Sequence, residues 1–182
     1  MDSRAAIFII TGAPGVGKTS VARQLAQRFD LSLHIPTDEL RSWVIAGKAE
    51  PIPVLTPAAH EQLRLAREVV RSMATLYRAN GYTVIIDAVL TTHDIDGMFA
   101  QSDQPQLHKI LLCPTLEHVL ARNQERYAKF DLETWGPVIA ALYQDLRLQN
   151  TADQGWIVLD SGGWSIEQTV DAMLQAVRSE AG

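Results

Sequence analysis

Residues 5–26 read AAIFIITGAPGVGKTSVARQLA: an apolar run, a glycine-rich turn and an amphipathic run in direct succession. The middle fits the phosphate-cradling pattern G-x-x-x-x-G-K-[ST], with Gly12, Gly17, Lys18 and Thr19 at the fixed positions. Glycines let a backbone turn tightly with its N–H groups pointing inward, which makes an anion-binding nest. The string Gly12, Ala13, Pro14, Gly15, Val16, Gly17, Lys18, Thr19 and Ser20 is therefore the candidate nucleotide-binding loop. Lys18 puts a cation on the outer phosphates, and the Thr19 hydroxyl is suited to Mg²⁺. Beyond it Val21, Ala22, Leu25, Ala26 and Phe29 recur at helical spacing, so the positive end of a helix dipole faces the site. A strand, this loop and a helix must follow one another, which restricts the fold to an α/β class.

The rest of the chain obeys that restriction. Strand-like runs are predicted at 5–10, 31–35, 82–86, 107–112 and 156–159, with helical patterns at about 18–28, 38–46, 57–79, 92–101, 115–129, 134–149 and 165–178. Thr56-Pro57 suits a helix start and Asn80-Gly81 its end, while Thr91-x-x-Asp94 and Ser165-x-x-Gln168 read as capping boxes. Alternating strands and helices imply a parallel sheet covered on both faces. With 182 residues and 47% hydrophobic content, one domain over 1–182 is expected. A net charge of −5 argues against a protein built to coat nucleic acid. No run approaches a signal peptide or a membrane span, so a cytoplasmic protein without membrane partners is expected. Cys113 is the single cysteine, and its apolar setting predicts a buried thiol. Oligomeric state leaves no mark on the sequence.

Four further strings carry candidate chemistry. Strand two runs into HIPTDELRSW, with Asp38 and Arg41 three residues apart. At the carboxyl end of a parallel strand this pair would face the shared crevice. A carboxylate there can accept the proton of an attacking hydroxyl, and a guanidinium can grip an anionic group. Capping of the next helix by Thr37 or Asp38 is the plainer alternative. Asp87 ends the third strand, where it could hold a Mg²⁺ water, orient an acceptor, or cap the following loop. Arg122 and Arg126 lie one helical turn apart. Their mutual repulsion would become attraction over a migrating phosphoryl group, although a solvated helix face also explains them. Asp160-Ser161-Gly162-Gly163 offers small residues against which a flat base could lie, so Ser161 and Gly162 join the nucleotide set. Trp164 is either a base cover or a core residue.

Two strings resemble switch signals, Asp94-x-x-Gly97 and Asn150-Thr151-Ala152-Asp153, but neither stands where a switch needs it. Five histidines show no metal-ligand spacing, leaving Mg²⁺ with the nucleotide as the expected metal. Arg64, Arg67, Arg71 and Arg78 form a basic stripe on the long helix, which solvation of an exposed face explains.

Taken in order, these residues resemble the P-loop small-molecule and polynucleotide kinase group, which includes polynucleotide 5′-kinases, gluconate and shikimate kinases, chloramphenicol phosphotransferase-like enzymes and zeta-toxin-like kinases. The resemblance spans nearly the whole chain. It implies a five-stranded parallel sheet of order 2-3-1-4-5, a general-base role for Asp38 and acceptor binding by Arg41. It also implies a mobile lid over about 122–136 carrying Arg122 and Arg126. One departure bears on the acceptor: polynucleotide kinases usually show Asp-x-Asn after the third strand, and this chain reads Asp87-Ala88-Val89. The expected function is therefore transfer of the γ-phosphate of ATP, with Mg²⁺, to a hydroxyl of a small molecule. The alternatives are a polynucleotide 5′-hydroxyl kinase, an antibiotic or sugar-nucleotide kinase, or a nucleotide-gated binding module without an acceptor.

Overall fold

The structure, a computed structural model, describes residues 5–99, 106–126 and 131–180. Five strands, β1 (Ile7–Thr11), β2 (Ser32–Pro36), β3 (Thr83–Asp87), β4 (Leu107–Leu112) and β5 (Trp156–Leu159), form one sheet in the order β2-β3-β1-β4-β5. Every pairing is parallel, as the alternating pattern requires. The central strands β1 and β3 are buried at every position, which is why they read as unbroken apolar runs.

Helices α1 (Lys18–Ala26), α2 (Thr37–Ser42), α3 (Pro57–Ala79), α4 (Thr92–Met98), α5 (Leu116–Arg126), α6 (Leu132–Gln149) and α7 (Ile166–Glu180) surround the sheet. Alternation along the strands divides the core into two. Phe8, Ile10, Ile85 and Ile110 pack against Val21, Ala22 and Leu25 of α1 and Val170, Met173 and Leu174 of α7. Ile7, Ile9, Val84 and Ile86 pack against Val70 and Ala74 of α3 and Ile95 and Met98 of α4. Thus α1 and α3 lie on opposite faces of the sheet.

The predicted starts are built as their side chains dictate. Thr56 accepts from the Ala59 N–H ahead of Pro57, and both capping boxes close, Thr91 with Asp94 and Ser165 with Gln168. Gly81 takes φ +85° just past α3. The expected helix over 38–46 is shorter, ending at Ser42. The next apolar residues have no core to face: Trp43 is 70% exposed and Ile45 93%. Without tertiary burial a short helix does not extend. Expected helical residues 100–101 and 127–129 lie outside those described, as does part of the expected lid. Among the described residues no helix is long and apolar enough to cross a membrane.

Candidate active site

The loop between β1 and α1 is shaped by three glycines with positive φ: Gly12 at +147°, Gly15 at +89° and Gly17 at +100°. At two of them the space is also closed to a side chain. A Cβ on Gly12 would lie 2.6 Å from the Leu112 carbonyl oxygen, and one on Gly15 would lie 2.3 Å from Asn123 Nδ2. The loop thus turns against β4 and α5 at van der Waals range. Lys18 opens α1 and folds its Nζ back to donate to the Gly12 and Ala13 carbonyls at 2.9 and 3.3 Å. Thr19 follows on the same first turn, half-buried, with Ser20 exposed beside it.

Two residues of α5 bind this loop from outside. Arg122 donates from one terminal nitrogen to the Val16 carbonyl at 3.2 Å, and that nitrogen stands 4.0 Å from where a Gly17 Cβ would be. Asn123, 1% exposed, donates Nδ2 to the Pro14 and Val119 carbonyls, both at 2.8 Å. Asn123 leaves no mark in the sequence, because an asparagine inside a helical pattern has no local signature. Arg126 closes α5, and its side chain lies outside the described residues.

The base of the loop is tied to the segment after β3. Thr11 exchanges hydrogen bonds with Leu90, its hydroxyl donating to the carbonyl at 3.1 Å and accepting the N–H at 2.9 Å. Asn150, also 1% exposed, donates to that same carbonyl and accepts from the Thr92 N–H. The Asn150-Thr151-Ala152-Asp153 string is therefore a structural tie across the sheet end, consistent with its poor placement for a switch.

Asp87 ends β3 opposite Ile10, the last core residue before the loop, and lies on the sheet face that α1 covers. It is 5% exposed, and one carboxylate oxygen lies 3.6 Å from His34 Nε2 on β2. A buried carboxylate and a threonine hydroxyl are hard oxygen donors of the kind Mg²⁺ takes while keeping several waters. Asp87, at the end of β3, and Thr19, on the first turn of α1, fit that metal in their chemistry.

Asp38 stands exposed in the first turn of α2, immediately past the carboxyl end of β2. It does not cap the helix. Pro36 occupies that position, and no side chain bonds the first N–H groups. Three residues on, Arg41 is 11% exposed and donates to the Ala49 carbonyl at 3.2 Å, with Glu50 at 3.8 Å. Gln62 of α3 grips the same turn, accepting from Ala49 N and donating to the Gly47 carbonyl. Lys48 hydrogen-bonds Glu50 and, with Arg41 nearby, holds its carboxyl below the usual range. The connection 43–56 is thus stapled at 47–50, with Trp43, Ile45, Val54 and Leu55 facing outward. Among the described residues, the buried side-chain atoms lacking a hydrogen-bond partner are His34 Nε2, Thr37 Oγ1 and Arg41 Nε. All three belong to β2 and the helix α2 that follows it.

After β5 the chain turns through Asp160, which accepts from the Gly162 N–H at 3.0 Å. Ser161 is buried, and a Cβ on Gly162 would lie 2.8 Å from His118 Nδ1. The His118 ring is itself held by Thr115 at 2.8 Å. Gly162, next to Ser161, therefore sits against the start of α5, the same helix that binds the loop. Trp164 is exposed and does not belong to the core, a place taken by Trp156.

A glycine nest opening a helix at the end of a central parallel strand, on a sheet of order 2-3-1-4-5, defines an ATP-binding P-loop fold of the kinase type. The chain belongs to the AAA domain family, whose model matches residues 7–144. It is 26% identical over 188 residues to an adenylate kinase of Nautilia profundicola, covering 97% of this chain and 98% of that relative. Among solved structures it is similar to a gluconokinase from Sinorhizobium meliloti 1021, with a TM-score of 0.65 at 19% identity over 100% and 95% of the two chains. A sugar kinase from Janibacter sp. HTCC2649 gives 0.63 at 21% over 94% and 93%. The tunicamycin resistance protein of Deinococcus radiodurans gives 0.62 at 18% over 95% and 96%. These structures share the P-loop kinase fold anticipated from the sequence.

Proposed function

We propose that the protein is an ATP-dependent kinase that transfers the γ-phosphoryl group of Mg-ATP to a hydroxyl of a small molecule. The observation that carries this reading is Asp38: an exposed carboxylate without capping duty, on a helix that opens at the strand ends where the phosphate loop also lies. A hydroxyl is a poor nucleophile until its proton is taken, and a carboxylate at that place is suited to take it. In the step, Asp38 receives the proton as the acceptor oxygen bonds to the γ-phosphorus. The bond to the β,γ-bridging oxygen breaks, and ADP leaves.

The catalytic contribution of the remaining residues is electrostatic. The loop N–H groups and Lys18 hold the phosphates, and Arg122, which reaches the loop at the Val16 carbonyl, meets charge growing on the migrating group. Arg126 is assigned to the same lid by its spacing. Mg²⁺, held through Thr19 and Asp87, would neutralise phosphate charge. Ser161 and Gly162 form one wall of the base site. Arg41, three residues on in the same helix, braces the 47–50 turn and is assigned to the acceptor side.

Similarity to an adenylate kinase favours a second reading, in which the acceptor is the phosphate of a nucleoside monophosphate. That nucleophile is already an anion. It needs no base, and an exposed Asp38 would repel it. A screen of small polyols, amino sugars and AMP, read by acceptor-stimulated ADP release, separates the readings. Stimulation by an alcohol supports the proposal, and stimulation by AMP alone replaces it. Absence of any stimulation would favour a nucleotide-gated binding module.

A further inference from the structure

One flank of α3, beside its core face, meets α4 in a groove of about 330 Å³, lined by His60, Arg64, Arg67, Arg71, His93 and Asp94 among others. The basic side chains of α3 fall at 60, 64, 67 and 71, one helical face, extending over about 16 Å at 1.5 Å per residue. Arg78, the fourth arginine of the sequence stripe, does not join them. It turns away to the Ala5 carbonyl at 3.1 Å. The groove lies with α3 and α4, on the face of the sheet opposite α1, and shares no lining residue with the phosphate loop.

The acids of the groove are already engaged. Arg64 is clasped between Glu61 and Glu68, at 2.6 and 2.5 Å. Asp94 takes Arg67 at 2.9 Å and also accepts from the Thr91 N–H and hydroxyl. Arg71 has no hydrogen-bond or ion-pair partner among the described residues, and His60 and His93 stand exposed on the two walls. Arg64 with its two glutamates and Arg67 with Asp94 leave Arg71 as the unpaired arginine of the groove. A single carboxylate is satisfied by one guanidinium fork. A phosphoryl group carries more charge and more acceptor oxygens, and so can use donors arriving from both helices. The volume lies at the lower end of the small-molecule range.

We propose that this groove is a second anion site, which binds the phosphoryl group of a small phosphorylated compound independently of the nucleotide loop. Arg71 is its principal free donor, and His60 and His93 flank the ligand.

The test uses the full chain with its nucleotide loop filled by Mg²⁺ and a non-hydrolysable ATP analogue. Inorganic phosphate, then pyrophosphate with Mg²⁺ in excess, is titrated while the histidine ring signals are followed by NMR. The His60 and His93 signals are assigned through His60→Gln and His93→Gln. The expected result is saturable movement of those two signals, with half-saturation rising at least tenfold in Arg71→Ala and further in Arg71→Glu. Arg71→Lys should retain part of the affinity, because it keeps the charge without the fork. Arg71 is exposed and unpaired, so these variants should keep the wild-type circular dichroism and melting temperature. Still signals in the wild type, or identical titrations in wild type and Arg71→Glu, would overturn the proposal. So would tighter binding of a 5′-phosphorylated DNA strand than of either small anion, which would make the groove a nucleic-acid track.

Discussion

Removal of the Asn123 amide isolates the contribution of α5 to the shape of the phosphate loop. In Asn123→Ala the Val119 carbonyl keeps the backbone bond of the helix, but the Pro14 carbonyl loses its partner. Leaving a partly buried acceptor unpaired costs about 1–2 kcal/mol. For a chain of this size, that lowers Tm by roughly 2–8 °C. Because the loosened segment must be reordered around phosphate, nucleotide affinity should fall about 5- to 30-fold. Calorimetric titration with a Mg-ATP analogue and a thermal melt read the two effects. A cycle with Gly15→Ala sharpens the assignment. A methyl at Gly15 meets Asn123 Nδ2 at 2.3 Å and also suffers a left-handed φ. The φ strain, about 1–2 kcal/mol, survives in any background, whereas the clash disappears with the amide. Gly15→Ala should therefore destabilise Asn123→Ala less than it destabilises the wild type, by about 1 kcal/mol or more. Additive effects, or an Asn123→Ala protein with unchanged affinity and Tm, would refute the reasoning.

Lys18→Met should leave the fold intact and reduce phosphoryl transfer at least a hundredfold, the loss of roughly 3 kcal/mol of transition-state contact. Steady-state kinetics beside circular dichroism checks it. Arg122→Ala should lower kcat more than it raises the Kd for ATP, and lysine should rescue poorly if the contact is a fork. Equal loss in both quantities would make Arg122 a binding residue only. Asp131 caps α6, accepting from the Thr134 hydroxyl and the Glu133 N–H, and these bonds hold its carboxyl below the usual range. Its folded pKa is depressed, so its contribution is present above about pH 4, the unfolded value, and fades as pH falls through the folded one. The urea midpoint of the wild type should exceed that of Asp131→Ala at pH 7, with the gap narrowing at pH 3.

The order of elements was legible because each strand is a short apolar run and each helix start carries its own side-chain cap. Thr56, Thr91 and Ser165 cap the helices they were predicted to cap. The loop was legible because its residue types answer to backbone geometry that glycine alone permits, as the contacts at Gly12 and Gly15 confirm. What escaped the sequence were contacts made across long separations. Asn123 sits in a pattern that looks like helix surface and Asn150 in a string that resembles a switch signal, yet both are buried, because the loop and the β3 end approach them from more than fifty residues away. The end of α2 was overrun for the same reason. The apolar pattern from Trp43 to Ala46 continues the helical period, but among the described residues nothing buries Trp43 or Ile45. The arginine stripe reads as uniform in sequence. In three dimensions Glu61, Glu68 and Asp94 neutralise part of it, and Arg78 leaves it.

The most direct measurement follows the γ-phosphoryl group itself. Wild type and Asp38→Asn are incubated with γ-labelled ATP, Mg²⁺ and the alcohol that most stimulates ADP release, and the product is identified by mass spectrometry. The account predicts one phosphate monoester per ADP. In Asp38→Asn the transfer rate should fall about 10²–10⁴-fold while Mg-ATP affinity changes little. Label appearing only on AMP, or an Asp38→Asn protein that transfers at the wild-type rate, would contradict it.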